Sequence, residues 1–134
     1  MLCYEAMQGS GLRILVVDDK PAVLMTYRLI LQQQGHDVVA VSSCREAINE
    51  LNGCQFDLLL CDYTLEDDLT GFHVIDEAQK KVPGIRSLLM TGYSEDEVGS
   101  EAAERGVRVL FKPVNVAELL REVSGMPTLR QAIA

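Results

Sequence analysis

Five side chains stand where four apolar runs of this chain end: Asp18 and Asp19 after LRILVV, Asp62 after DLLLC, Thr91 after IRSLLM, and Lys112 after VRVLF. Three carboxylates, a hydroxyl and an ammonium gathered on one edge of a sheet make a site for a divalent cation and a phosphoryl group. A carboxylate beside two others costs free energy unless a cation neutralises them. A hard cation that keeps several waters and takes one or two carboxylates is Mg2+ by preference. With Asp18 and Asp19 holding the metal, Asp62 can both ligate it and present an oxygen as nucleophile, the chemistry that forms an aspartyl phosphate. Thr91 and Lys112 can then stabilise charge on the transferring phosphoryl oxygens. Singly, Asp19 reads as a helix cap, Thr91 as a turn residue and Lys112 as a solvated cation; it is their joint placement at strand ends that points to a site.

The elements that must position them alternate along the chain. Residues 12–17 are a short, β-branched-rich apolar run, too brief for a helix, that reads as a strand buried on both faces, and 37–41, 57–61, 85–90 and 108–111 read as four further strands. Between them run helical stripes. Pro21 sits where a first helical turn tolerates it, Val23, Tyr27, Ile30 and Leu31 share one face, and Gly35 caps the end. Ser43 with Glu46 forms a capping-box pattern before Cys44, Ala47, Ile48 and Leu51, and Gly53 closes that helix. Gly71 opens a helix with Ile75, Ala78 and Val82 inward, stopped by Pro83 and Gly84. Ser94 and Glu97 repeat the capping box before the weakest helix, whose apolar face is only Val98, Ala102 and Ala103. Val116, Leu119, Leu120 and Val123 mark the last one. Five strands alternating with five helices specify a single α/β domain, a doubly wound five-stranded parallel sheet with helices on both faces. Such sheets bind ligands beyond the carboxyl ends of their strands, where all five polar residues lie.

Composition agrees. A length of 134 residues fits one domain, and 48% hydrophobic with 5% aromatic and no Trp suggests a core of Leu, Val, Ile and Ala. A net charge of −8 with scattered basic residues argues against direct nucleic-acid binding. No stretch is long and apolar enough for a membrane span and no export signal opens the chain, so a cytoplasmic protein is expected. Cys3, Cys44, Cys54 and Cys61 show neither C-x-x-C nor zinc-ligand spacing; no metal clip or redox pair is indicated, and reduced core thiols are the reading, for Cys61 above all. His36 and His73 lie away from the site and are assigned no ligand role.

The segments VVDD (residues 16–19), LLLCD (58–62), LLMTG (88–92) and FKP (111–113), in this order and spacing, resemble the receiver domain of two-component response regulators, the chemotaxis-regulator-like (βα)5 flavodoxin-like fold with strand order 2-1-3-4-5. The resemblance covers residues 12–124, leaving 1–11 as an N-terminal extension and 125–134 as a tail, with no output domain expected after the last helix. It implies that Asp62 is the phosphoacceptor, charged from a phosphohistidine on a sensor histidine kinase or phosphotransfer protein. It further implies that Asp18, Asp19, Asp62 and the backbone carbonyl of Thr64 bind Mg2+, that Thr91 and Lys112 contact the phosphoryl group, and that the bond before Pro113 is cis. A downstream effector, and a monomer or weak dimer through the face of the fourth helix, fifth strand and fifth helix, belong to the same implication.

The chain departs from the family pattern in two places. The stretch DYTLEDDLTG carries Glu66 where proline is usual and Gly71 nine residues after Asp62 instead of eight; Glu66, Asp67 and Asp68 read as a solvated acidic loop. Val109 occupies the position of the family's switch aromatic, and Phe111 is read as facing the other side of its strand. Signalling is therefore expected to use the Thr91 loop and the poorly anchored fourth helix. Thr64 and Tyr93, two residues beyond Asp62 and Thr91, take the positions that in the family flank the attacking water. Beside the phosphoacceptor switch stand two alternatives. A Mg-dependent phosphohydrolase usually needs a second acid, as in D-x-D, where this chain has Asp62-Tyr63-Thr64. A phosphorylation-independent interaction module would be favoured by Val109 and the altered loop and opposed by the intact set of five.

Overall fold

The computed structural model describes residues 11–125. Strands β1 (Arg13–Val17), β2 (Asp37–Val41), β3 (Leu58–Asp62), β4 (Arg86–Thr91) and β5 (Arg108–Phe111) alternate with helices α1 (Pro21–Gln33), α2 (Cys44–Gly53), α3 (Gly71–Lys81), α4 (Glu95–Glu104) and α5 (Val116–Ser124). The five strands form one parallel sheet in the order β2-β1-β3-β4-β5, as expected. Apart from Gly11 and Gly125, the expected extension and tail lie outside the described residues.

Every residue of β1 and β3 is buried, which is why their sequences run apolar without alternation. Their side chains still alternate in direction. Leu15, Val17, Leu59 and Cys61 pack with Ala47 and Leu51 of α2, Ile75 and Ala78 of α3, and Ala102 of α4. Ile14, Val16, Leu58 and Leu60 pack on the opposite face with Tyr27 and Leu31 of α1 and Leu119 and Val123 of α5. Each sheet face thus buries its own helical layer, and burial of these aliphatic side chains is the main stabilising term.

The strand and helix ends matter most for function. Both β3 and β4 run one residue further than their apolar runs suggest, so Asp62 and Thr91 are the last residues of their strands. The Ser94–Glu97 capping box forms, and at α2 Ser43 Oγ accepts from Glu46 N and donates to the Glu46 carboxylate. Gly35, at φ +89, turns the chain from α1 into β2. Helix α4 buries only Val98 and Ala102; Ala103, placed on the inner face by its spacing, is exposed. Cys44 and Cys61 are buried free thiols, and burial pushes that of Cys61 well up. Cys54 departs from the reduced-thiol expectation, being disulfide-bonded; short-range spacing does not detect a pairing made in space. No helix among the described residues is long and apolar enough to cross a membrane.

Candidate functional site

The strand order reverses between β1 and β3, and the site forms there, beyond their carboxyl ends. Asp18 and Asp62 are 0% and 1% exposed, while Asp19 is open to solvent. One carboxylate oxygen from each of Asp18, Asp19 and Asp62 lies within 4.8 Å of the other two. Asp18 Oδ1 accepts a hydrogen bond from Lys20 N at 2.9 Å, and Asp62 Oδ1 takes the Lys112 ammonium at 2.6 Å. The second oxygen of each, Asp18 Oδ2 and Asp62 Oδ2, is buried without a protein partner. Burial pushes the Asp18 carboxyl up and the Asp62 charge adds to it, against the Lys20 N–H that favours ionisation. Two orphaned, buried carboxylate oxygens facing a third carboxylate are what a hard, oxygen-seeking cation would satisfy, so the donor set fits Mg2+.

Thr91 and Lys112 are set against this pocket by the β4–β5 ladder. Lys112 N donates to Thr91 O at 2.7 Å, anchoring the backbone before the lysine turns toward Asp62, and the Lys112–Pro113 bond is cis. Thr91 is buried, and its Oγ1 accepts a hydrogen bond from Tyr93 N at 3.0 Å. Thr64 lies just past β3 and pairs with Thr70 in an isolated antiparallel bridge. All the carboxylates singled out from the sequence therefore converge, with Lys112 ion-paired among them.

The acidic loop is not simply solvated. Glu66 reaches back to the first turn of α2, where both carboxylate oxygens accept from Cys44 N, at 3.1 and 2.9 Å. An anion at a helix N-terminus satisfies a backbone donor and complements the helix dipole. The extra residue is absorbed in a single 3-10 turn, Glu66–Asp68, where Asp67 and Asp68 adopt φ values of +53 and +61. Asp tolerates this left-handed region better than most non-glycine residues. The loop then returns to the site. Gly71 N donates to Tyr63 O at 2.8 Å, and a Cβ on Gly71 would sit 2.6 Å from Asp62 O, so a glycine is required beneath the acceptor strand. His73 closes the N-terminus of α3 by accepting from Thr70 N through Nδ1 at 3.0 Å, a capping role.

Val109 packs half-buried against the layer of α2, α3 and α4, while Leu110 belongs to the other layer. Phe111 does not oppose Val109: two residues along a strand return to the same face. It stands at the strand's end, opposite Thr91 in register and 40% exposed. Sequence reasoning missed a ring contact beside the site. Tyr63, next to Asp62, meets Tyr93 edge-on at 5.4 Å between centroids and Phe72 edge-on at 5.6 Å. An aromatic immediately after the acceptor and another two residues after Thr91 were the available signal.

Comparison with known proteins agrees with this geometry. The profile described as "Response regulator receiver domain" matches residues 14–124. The chain is 30% identical to the alginate biosynthesis transcriptional regulatory protein AlgB of Pseudomonas putida, over 97% of this chain and 29% of that protein. It is 31% identical to the transcriptional regulatory protein ZraR of Escherichia coli K12, over 96% and 28%. It therefore spans less than a third of the length of these curated relatives. Among solved structures, the CheY-like response regulator receiver domain protein of Methanospirillum hungatei superposes with a TM-score of 0.79 at 31% identity, covering 86% of this chain and 92% of that one. The BeF3-activated DrrB receiver domain gives 0.76 at 26% identity, covering 85% and 95%. With a carboxylate trio at the sheet's switch point, two of its members buried, and a family match over nearly all of the described residues, the chain belongs to the response regulator receiver domains of two-component systems.

Proposed function

We propose that this chain is a phosphoacceptor switch in which Asp62 takes a phosphoryl group from a phosphohistidine of a sensor histidine kinase or phosphotransfer protein. The observation that carries this is the state of Asp62: one oxygen is ion-paired to Lys112 at 2.6 Å and the other is buried without a partner beside Asp18. A carboxylate oxygen attacks phosphorus, an O–P bond forms, and the N–P bond to the donor imidazole breaks as the imidazole leaves. Asp18, Asp19, Asp62 and the Thr64 carbonyl would hold Mg2+, which when bound supplies positive charge against the phosphoryl oxygens. Lys112, already at Asp62, neutralises a further oxygen, and the Thr91 hydroxyl donates to another. The chain ends as a phosphorylated protein instead of turning substrate over, and the added charge of roughly −2 shifts a conformational equilibrium read by an effector. Residues 12–124 form the working unit, acting in the cytoplasm where sensor kinases present their phosphohistidines, with any weak dimer using the face of α4, β5 and α5.

Intact-protein mass after incubation with a small phosphodonor and Mg2+ tests this. Addition of one phosphoryl, lost in Asp62→Asn, is expected. Absence of an adduct sinks the switch in favour of an interaction module, and fast multiple turnover of the donor favours a hydrolase.

A further inference from the structure

Beside the site, a line of side chains leads away from Thr91 and reaches the far end of α4. The Thr91 hydroxyl accepts from Tyr93 N at 3.0 Å. The Tyr93 ring meets Tyr63 edge-on at 5.4 Å, and Tyr63 meets Phe72, the second residue of α3, edge-on at 5.6 Å. The guanidinium of Arg105 lies over the Phe72 ring, 4.4 Å from its centroid. Arg105 is the C-cap of α4. Its Nε and Nη2 reach the two oxygens of Asp76 on α3 at 2.7 and 3.1 Å, and its own carbonyl accepts from Gln79 at 2.9 Å. Helix α4 buries so little apolar surface, Val98 and Ala102, that this polar and aromatic fastening is a large share of what holds its C-terminal end to α3.

We propose that the chain Tyr93–Tyr63–Phe72–Arg105 is the element that couples the phosphoryl state of Asp62 to the packing of α4 on α3. This deepens the function proposed above and rests on it. The Thr91 hydroxyl holds Tyr93 N in the present arrangement; turning toward a phosphoryl oxygen on Asp62 takes its lone pair away from that N–H and frees the backbone under Tyr93. The Tyr93 ring, 47% exposed and held inward by one edge contact, is the part of the line that can leave. Its departure unbraces Tyr63. Phe72 is buried and tied to the α3 N-terminus, so a shift of Tyr63 reaches α4 through the cation stacked on the Phe72 ring. Val109 has no ring to reorient and packs half-buried against the core, so it is not the moving part.

The test uses the full chain with Mg2+ and beryllofluoride as the phosphoryl mimic, read by amide hydrogen exchange in α4 and the 105–107 turn. Wild type is expected to change exchange of amides 102–107 at least fivefold on adding the mimic. Phe72→Leu and Arg105→Gln are each expected to reduce that change to under twofold, while mass spectrometry with a small phosphodonor still shows one phosphoryl per chain. Arg105→Lys keeps a cation over the ring and is expected to retain most of the change, separating coupling from a general loosening of α4. A fivefold change that persists in both Phe72→Leu and Arg105→Gln, or equal exchange in wild type with and without the mimic, overturns the relay. Failure of wild type to take up any phosphoryl overturns the phosphoacceptor function itself, a different result.

Discussion

The two ends of this sheet bury charge in opposite ways. At the amino ends of the strands, the Arg13 guanidinium, 6% exposed, reaches Asp37 at 3.0 Å, Arg13 N donates to Asp57 at 2.8 Å, and His36 Nδ1 accepts from Leu12 N at 3.0 Å. At the carboxyl ends, Asp18 and Asp62 each keep a buried oxygen with no protein partner, and Asp19 adds a third carboxylate. The other orphan among the described residues is the neutral hydroxyl of Ser87, far cheaper to bury than a carboxylate. One end spends its polar groups on each other; the opposite end leaves ionic groups short of partners, and that shortfall is what lets a metal and a phosphoryl group be bound instead of merely tolerated.

The largest consequence is at the satisfied end. Arg13→Met removes the buried cation of the pair and leaves Asp37 without it, with 31% of the Asp37 side chain exposed to soften the effect. Breaking such a pair typically costs 3–5 kcal/mol, and the partial exposure of Asp37 places the expected loss at about 3 kcal/mol. Urea denaturation in the presence and absence of Mg2+ checks it: the same loss is expected in both, because the metal binds at the other end. A loss below about 1 kcal/mol would mean that the two ends are not as different as their geometry indicates.

At the unsatisfied end the sign reverses. Asp18→Asn keeps an acceptor for Lys20 N and removes one buried like charge, so the metal-free protein is expected to gain about 1 kcal/mol. Mg2+ at about 100 times its Kd stabilises wild type by roughly 2.7 kcal/mol through mass action, and this gain is expected to vanish in the variant. Thermal melts of both proteins over a Mg2+ titration measure the two effects together. Destabilisation of the metal-free protein by Asp18→Asn would show that this carboxylate is held for the fold rather than for the ion.

Much of the unsatisfied end was legible in the sequence because its residues sit where apolar runs stop, and a parallel sheet delivers all its carboxyl ends to one edge. The runs misplaced two strand ends by one residue, since Asp62 and Thr91 are polar yet still pair in the ladder, opposite Met90 and Phe111. What stayed hidden depends on side chains meeting across loops. Glu66 on Cys44 N spans 22 positions and Arg105 on Asp76 spans 29, with no periodicity to announce either. The fourth helix looked poorly anchored because its apolar stripe is thin; its fastening is ionic and aromatic, which an apolar pattern does not register. Phe111 shares its strand face with Val109, because side chains two residues apart on a strand point the same way.

The smallest effect distinguishes the ends by pH. His36 is half-buried, and burial pushes its imidazole below the usual value of 6.5. Leu12 N donates to its Nδ1, an acceptor role that protonation would abolish. A base whose folded pKa is depressed binds fewer protons folded than unfolded, so stability rises with pH through this window. The contribution is fully present above about pH 6.5 and is lost as pH falls through the folded value, before Asp76, held low by Arg105, begins to titrate below its usual 3.8. Wild type is expected to lose somewhat less than about 1 kcal/mol from this group between pH 7.5 and 5.5. His36→Asn, which can offer Oδ1 to the same N–H and does not titrate, should flatten that part of the profile. Comparison of the two urea midpoints at each pH isolates the histidine from every other titrating group, and parallel profiles would remove His36 from the set of groups that the amino end keeps satisfied.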